Sequence, residues 1–87
     1  MIKKVLIFTE TNFYVVKNGN EAYNLVDRLL EDEPRFVVLD ISKATEAELV
    51  EIGSYWCHFE FNDYFDIATK YNHIAVDVTN DNWWDIL

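Results

Sequence analysis

Three acids stand at or near the ends of apolar runs: Glu10 behind Val5 to Thr9, Asp40 near the end of the run from Phe36, and Asp77 in the run from His73. Neighbouring strands running in one direction would carry such carboxylates to one sheet edge, where they could hold Mg²⁺, a hard ion that takes oxygen ligands. That is the geometry of a small nuclease or phosphotransfer enzyme. Its other parts are missing from the sequence. Gly19 and Gly53 are the only glycines, so there is no Gly-rich phosphate loop, and a first strand that turns back in a hairpin works against parallel alignment. Cys57, His58, Glu60, Asp63 and His73 add softer ligand types, but no two cysteines sit at a zinc spacing. Adjacent Cys57 and His58 diverge on a helix or a strand, which gives a Cys-His nucleophile no pairing. No cofactor is expected.

A second pattern is spread over half of the chain. Residues 1 to 43 hold seven acids against six bases, whereas residues 44 to 87 hold nine acids against Lys70 alone. The pairs Glu48 with Glu51, Asp63 with Asp66 and Asp81 with Asp85 have the three- or four-residue spacing that sets carboxylates roughly 5 to 6 Å apart on a helix. Rows of this kind resemble the regular charge of a nucleic-acid backbone, which a nucleic-acid-binding protein would accept in its basic site. Helix capping and solubility explain Glu46, Glu48, Asp63 and Asp66 without a partner, but they do not explain the near absence of lysine and arginine after Lys43. In charge and size the chain is similar to the small acidic proteins of phages and mobile elements that block restriction or CRISPR effectors; no motif carries that likeness.

The acidic half also holds nine of the fourteen aromatics. Trp83 and Trp84 are adjacent, so their side chains diverge in any regular element and the second ring is harder to bury than the first. An exposed ring between Asp81 and Asp85 would be an interface anchor; two buried rings would be core plugs. The expected partner-binding set is therefore Glu46, Glu48, Glu51, Glu60, Asp63, Asp66, Asp81 and Asp85 with Trp83 and Trp84.

The elements that must position these residues follow from hydrophobic period and caps. Val5 to Thr9 and Asn12 to Lys17 read as a hairpin turning at Glu10-Thr11-Asn12. Asn18, with Glu21 three residues on, caps a helix whose Ala22, Leu25, Val26, Leu29 and Leu30 form one apolar stripe, ended by Pro34. Phe36 to Ile41 is apolar on both faces until Asp40 and reads as a central strand. Thr45-Glu46-Ala47-Glu48 is a capping box for a helix continuing through Leu49, Ile52, Gly53 and Trp56, and Asn62 is placed to cap another through about Tyr71. His73 to Val78 alternates, which predicts a strand with Ile74, Val76 and Val78 on one side. The order β-β-α-β-α-α-β gives a single small α+β (or α/β) domain over residues 1 to 87, with about four strands and helices packed on the sheet.

Composition bounds the rest. An 87-residue chain that is 51% hydrophobic is one domain, and its aromatic and β-branched content excludes acidic disorder. The apolar run behind Lys3-Lys4 is too short for a signal peptide, no stretch is long enough for a membrane span, and an acidic surface is repelled by anionic headgroups. One cysteine rules out an internal disulfide, so the expected location is the cytoplasm, that of the host if the chain is phage-encoded. A net charge of −9 opposes direct binding to nucleic acid. The function expected is a non-enzymatic acidic binding protein, an inhibitor occupying the basic site of a nucleic-acid-binding protein. The alternatives are the Mg²⁺ enzyme using Glu10, Asp40 and Asp77, and a structural subunit or homodimer without mimicry.

Overall fold

The computed structural model describes residues 4–58 and 63–87. Strand β1 (Val5–Thr9) and strand β2 (Phe13–Val16) form the expected hairpin, with Val5 opposite Val16 and Phe8 opposite Phe13. The turn is held by the buried Thr9. Its hydroxyl accepts from the backbone N–H groups of Thr11 (3.2 Å) and Asn12 (2.8 Å), local bonds that satisfy the turn where the strand ladder stops. Helix α1 (Gly19–Asp32) starts at Asn18, whose side-chain oxygen accepts from the Glu21 N–H at 3.2 Å. Ala22, Leu25, Val26 and Leu29 of its stripe are buried; Leu30, at the edge of the stripe, is 53% exposed.

Strand β3 (Phe36–Asp40) pairs antiparallel with β1, Val5 opposite Asp40 and Thr9 opposite Phe36. The sheet order is β2-β1-β3. The central strand is thus β1, buried at all five positions, and not the Phe36 run. Helix α2 (Glu46–His58) and helix α3 (Asp63–Lys70) follow, α2 beginning at the predicted capping box: Thr45 N–H donates to Glu48 Oε1 at 2.9 Å, and Glu48 N–H to Thr45 Oγ1 at 3.2 Å. The expected Asn62 cap lies outside the described residues.

Successive residues of a strand face opposite sides, so this sheet builds two cores. Val5, Ile7, Val16 and Val38 meet α1 together with Trp83 and Trp84. Leu6, Phe8 and Leu39 meet Ile52 of α2, Ile67 of α3, Tyr71 and Ile74. The chain is a mixed α+β domain with a three-stranded antiparallel sheet between helices on both faces.

The fourth strand is corrected. Asn72–Ile74 is a 3₁₀ turn, and only one bridge, Ala75 to Leu39, together with the Val76 N–H to Val38 carbonyl bond at 2.8 Å, touches the sheet. The alternation of Ile74, Val76 and Val78 has another cause. Ile74 belongs to the α2/α3 core while Val76 and Val78 pack against the α1 core, so this segment crosses the edge of β3 from one face of the sheet to the other. It then turns at Asp77, which accepts from the Thr79 N–H (3.0 Å) and hydroxyl (2.6 Å).

Gly19 is explained by the tail. A Cβ there would stand 3.0 Å from Cδ1 and 3.1 Å from Nε1 of Trp84, so the first residue of α1 is bare where the second indole lies against it.

Candidate functional site

The strand-end carboxylates do not converge. Because β1 and β3 are antiparallel, Glu10 follows β1 at one end of the sheet while Asp40 closes β3 at the other, opposite Val5. Each has a local role. Glu10 faces Arg35 at 3.7 Å. Asp40 is buried and accepts from the Ser42 N–H (3.0 Å) and hydroxyl (2.6 Å), starting the short turn Ile41–Lys43; its other oxygen has Lys43 Nζ at 4.0 Å. Asp77 is held below the usual carboxylate range by the Thr79 hydroxyl and then by its N–H. Among the described residues no three histidine, cysteine or acidic side chains come together as a metal site. The alternative Mg²⁺ set of Glu10, Asp40 and Asp77 therefore does not assemble, Glu10 and Asp40 standing at opposite ends of the sheet.

Two of the expected partner-binding acids are engaged by other residues of the protein. Glu48 Oε2 lies 2.5 Å from His73 Nε2, and Glu51 Oε1 lies 2.7 Å from Lys70 Nζ while also accepting from the hydroxyl of the buried Tyr71. These contacts latch α2 to the end of α3 and the turn that follows it. The Thr45 N–H, then His73, lowers the Glu48 pKa; Lys70, then the Tyr71 hydroxyl, lowers that of Glu51. Burial, then the Glu51 carboxylate, raises the phenol of Tyr71.

A carboxylate whose folded pKa is lowered stabilises the fold above its ordinary value, and that contribution is lost as pH falls below about 4.5 through the lowered values. The melting temperature of the unaltered protein should exceed that of Glu48→Gln/Glu51→Gln at pH 7, and the gap should narrow as the pH is taken progressively below about 4.5. Circular dichroism melts across that range check it; a gap of equal size at both ends would assign the latch no ionic character.

Trp83 and Trp84 are core. Trp83 is 2% exposed and Trp84 8%, their rings edge to face at 5.9 Å, and Trp83 meets Tyr23 of α1 edge-on at 5.5 Å. The divergence of adjacent side chains is resolved by direction: Trp83 turns to Tyr23 and Trp84 to the start of α1 at Gly19. Neither ring is an exposed anchor in the free protein. Glu60 and the side chains of Cys57 and His58 lie outside the described residues. Asp63 is half-buried, whereas Glu46, Asp66, Asp81 and Asp85 are exposed.

What remains on the surface is a broad set of carboxylates on several elements. Asp27, Glu31, Asp32, Glu46, Asp66 and Asp81 are exposed and in no ion pair with a described residue. Three of them sit on the C-terminal half of α1, whose last turn holds no base and whose C-cap is Glu33. The partial negative charge of a helix C-terminus disfavours acids there. The signal was present in the sequence as Glu31-Asp32-Glu33 ahead of Pro34, but the balanced charge of the first 43 residues conceals it. Across from this end of α1, the tail approaches with Asp81, and the two enclose a cleft of about 410 Å³ over Tyr23, Val26, Val78 and Trp83.

No described helix is long and apolar enough to cross a membrane. Comparisons with protein families, curated proteins and solved structures give no match to this chain.

Proposed function

We propose that this chain is a non-enzymatic binding protein whose acidic surface occupies a basic site on another protein, the basic site being one that serves nucleic acid. The observation that carries this reading is the acidic end of α1. Carboxylates at a helix C-terminus oppose the helix dipole, and Asp27, Glu31 and Asp32 are in no ion pair with a described base. A local rule broken without an internal gain is typical of a surface kept for a partner. The charge balance supports the same reading: Arg35, Lys43 and Lys70 each lie beside one acid, and acids outnumber bases over the whole chain to a net charge of −9. Glu48 and Glu51 leave the expected contact set and Asp27, Glu31 and Asp32 join it.

The test is salt-graded capture of partners from cell extract by the protein and by Asp27→Lys/Glu31→Lys/Asp32→Lys, with folding of the variant checked by its melt. Captured proteins should be nucleic-acid-binding, released at moderate salt, lost with the triple variant, and displaced by DNA or RNA in a competition assay. Capture indifferent to salt and to the triple reversal would overturn the reading, as would a submicromolar complex of the chain itself with plain DNA or RNA at physiological salt.

A further inference from the structure

The cleft between α1 and the tail brings apolar and acidic side chains together. Its apolar side is lined by Tyr23, Leu30 and Val78 over the buried Val26 and Trp83, with half of the Leu30 surface uncovered, and Thr79 and Asn80 line the tail side. Asp27 stands on the helix side and Asp81 on the tail side, and no base lines it. Glu31, one turn beyond Asp27, continues the acidic row. Arg28 lies away from it, in a separate concavity with Tyr14, Glu21 and Asn24.

Lysine and arginine carry an apolar stem and a charged head, and they cover apolar surface while the head stays with water or a carboxylate. An arginine stem laid across Leu30 and Val78 would bring its guanidinium to Asp27 or Asp81 and set it beside the Tyr23 ring, which attracts cations. The bed also takes an aliphatic side chain. Its volume falls within the range of clefts that accept such groups. A second copy of this chain is a poor occupant, because its own net charge of −9 would face the same carboxylates.

We propose that this cleft is a docking groove for a short cationic, amphipathic segment of the partner, with arginine or lysine against Asp27 and Asp81 and one aliphatic side chain over Tyr23, Leu30 and Val78. The proposal rests on the acidic-binding reading and gives it a place and a chemistry. Its test is a ¹⁵N-¹H NMR titration of the whole chain with a synthetic twelve-residue peptide of arginine, lysine and leucine, and with a peptide of equal length in which glutamate replaces the bases. The basic peptide should shift the amides of Tyr23, Asp27, Leu30 and Val78 and the Trp83 indole, and the acidic peptide should shift none. Asp27→Lys/Asp81→Lys should weaken the basic peptide about tenfold or more, and Leu30→Ser severalfold, while Glu46→Lys/Asp66→Lys, away from the cleft, changes it by less than about threefold. Melts of each variant confirm folding.

Binding that maps to α2 and α3 and is lost with Glu46→Lys/Asp66→Lys would overturn the groove and leave the acidic-binding reading standing. Binding absent from the unaltered chain at millimolar peptide would overturn the groove as well, with the reading itself judged separately by the capture experiment. A concentration-dependent dimer by sedimentation, abolished by Leu30→Asp, would assign the groove to a second copy and overturn the proposal.

Discussion

Trp83→Ala should remove about 3 to 5 kcal/mol of folding stability, a large part of the roughly 5 to 15 kcal/mol that a domain commands. The ring is 2% exposed, stands edge-on to Tyr23 and Trp84, and closes the α1 core beneath the acidic cleft. For a domain of this size each kcal/mol corresponds to about 4 to 8 °C, so the melting temperature should fall by more than about 12 °C, or the variant should fail to fold. Trp83→Phe, which keeps an aromatic in place, should lose distinctly less. A drop of only a few degrees for Trp83→Ala would remove the indole from the core and return it to the role of an exposed anchor.

Tyr71→Ala should cost a similar amount for two separable reasons. The ring fills the α2/α3 core with Phe8, Leu39 and Ile67, and the hydroxyl donates to the Glu51 carboxylate that Lys70 also holds. Tyr71→Phe isolates the second: it should lose about 1 to 2 kcal/mol, while the alanine variant approaches 3 or more. The phenylalanine variant should also be less sensitive to acid, because Glu51 then loses one of the two contacts that lower its pKa. Chemical denaturation at pH 7 and pH 4 measures both. Equal losses for the two variants would place the stabilisation in the hydroxyl alone and leave the ring no packing role.

The parts of the fold legible in the sequence are the local ones. Asn18 with the stripe from Ala22, the Thr45 to Glu48 box, and the hairpin around Glu10 are each specified within a few residues, so nothing distant can rewrite them. Strand order is a different kind of fact. Val5 to Thr9 and Phe36 to Asp40 are both apolar runs, and only the pairing of β1 on two sides decides which is central. The alternation after His73 was legible as burial but not as a strand, because a chain passing over a sheet edge alternates between two cores just as a strand alternates between core and solvent.

The acidic rows suffered from the same ambiguity. Three-residue spacing sets Glu48 and Glu51 on one side of α2 whether that side meets a partner or the protein itself. The answer lay 25 residues away in His73 and 20 away in Tyr71, beyond the reach of any spacing rule. The cleft was harder to see. It joins α1 to a tail from the other end of the chain, and its acids on α1 belong to a half whose charges nearly cancel.

The seating of Trp83 and Trp84 on the face of β1 also sets the order of events during synthesis. The β1-β2 hairpin and α1 emerge early and can form on their own, because their contacts are short in sequence. Their shared apolar face includes Val5, Ile7 and Val16, and part of its cover arrives only with residues 83 and 84. Until then the nascent chain carries an incompletely covered patch next to an open strand edge, the combination that invites chaperones or misassociation. A polypeptide stalled before residue 83 should therefore be more protease-sensitive than the whole chain, and resistance should rise once both indoles have left the ribosome.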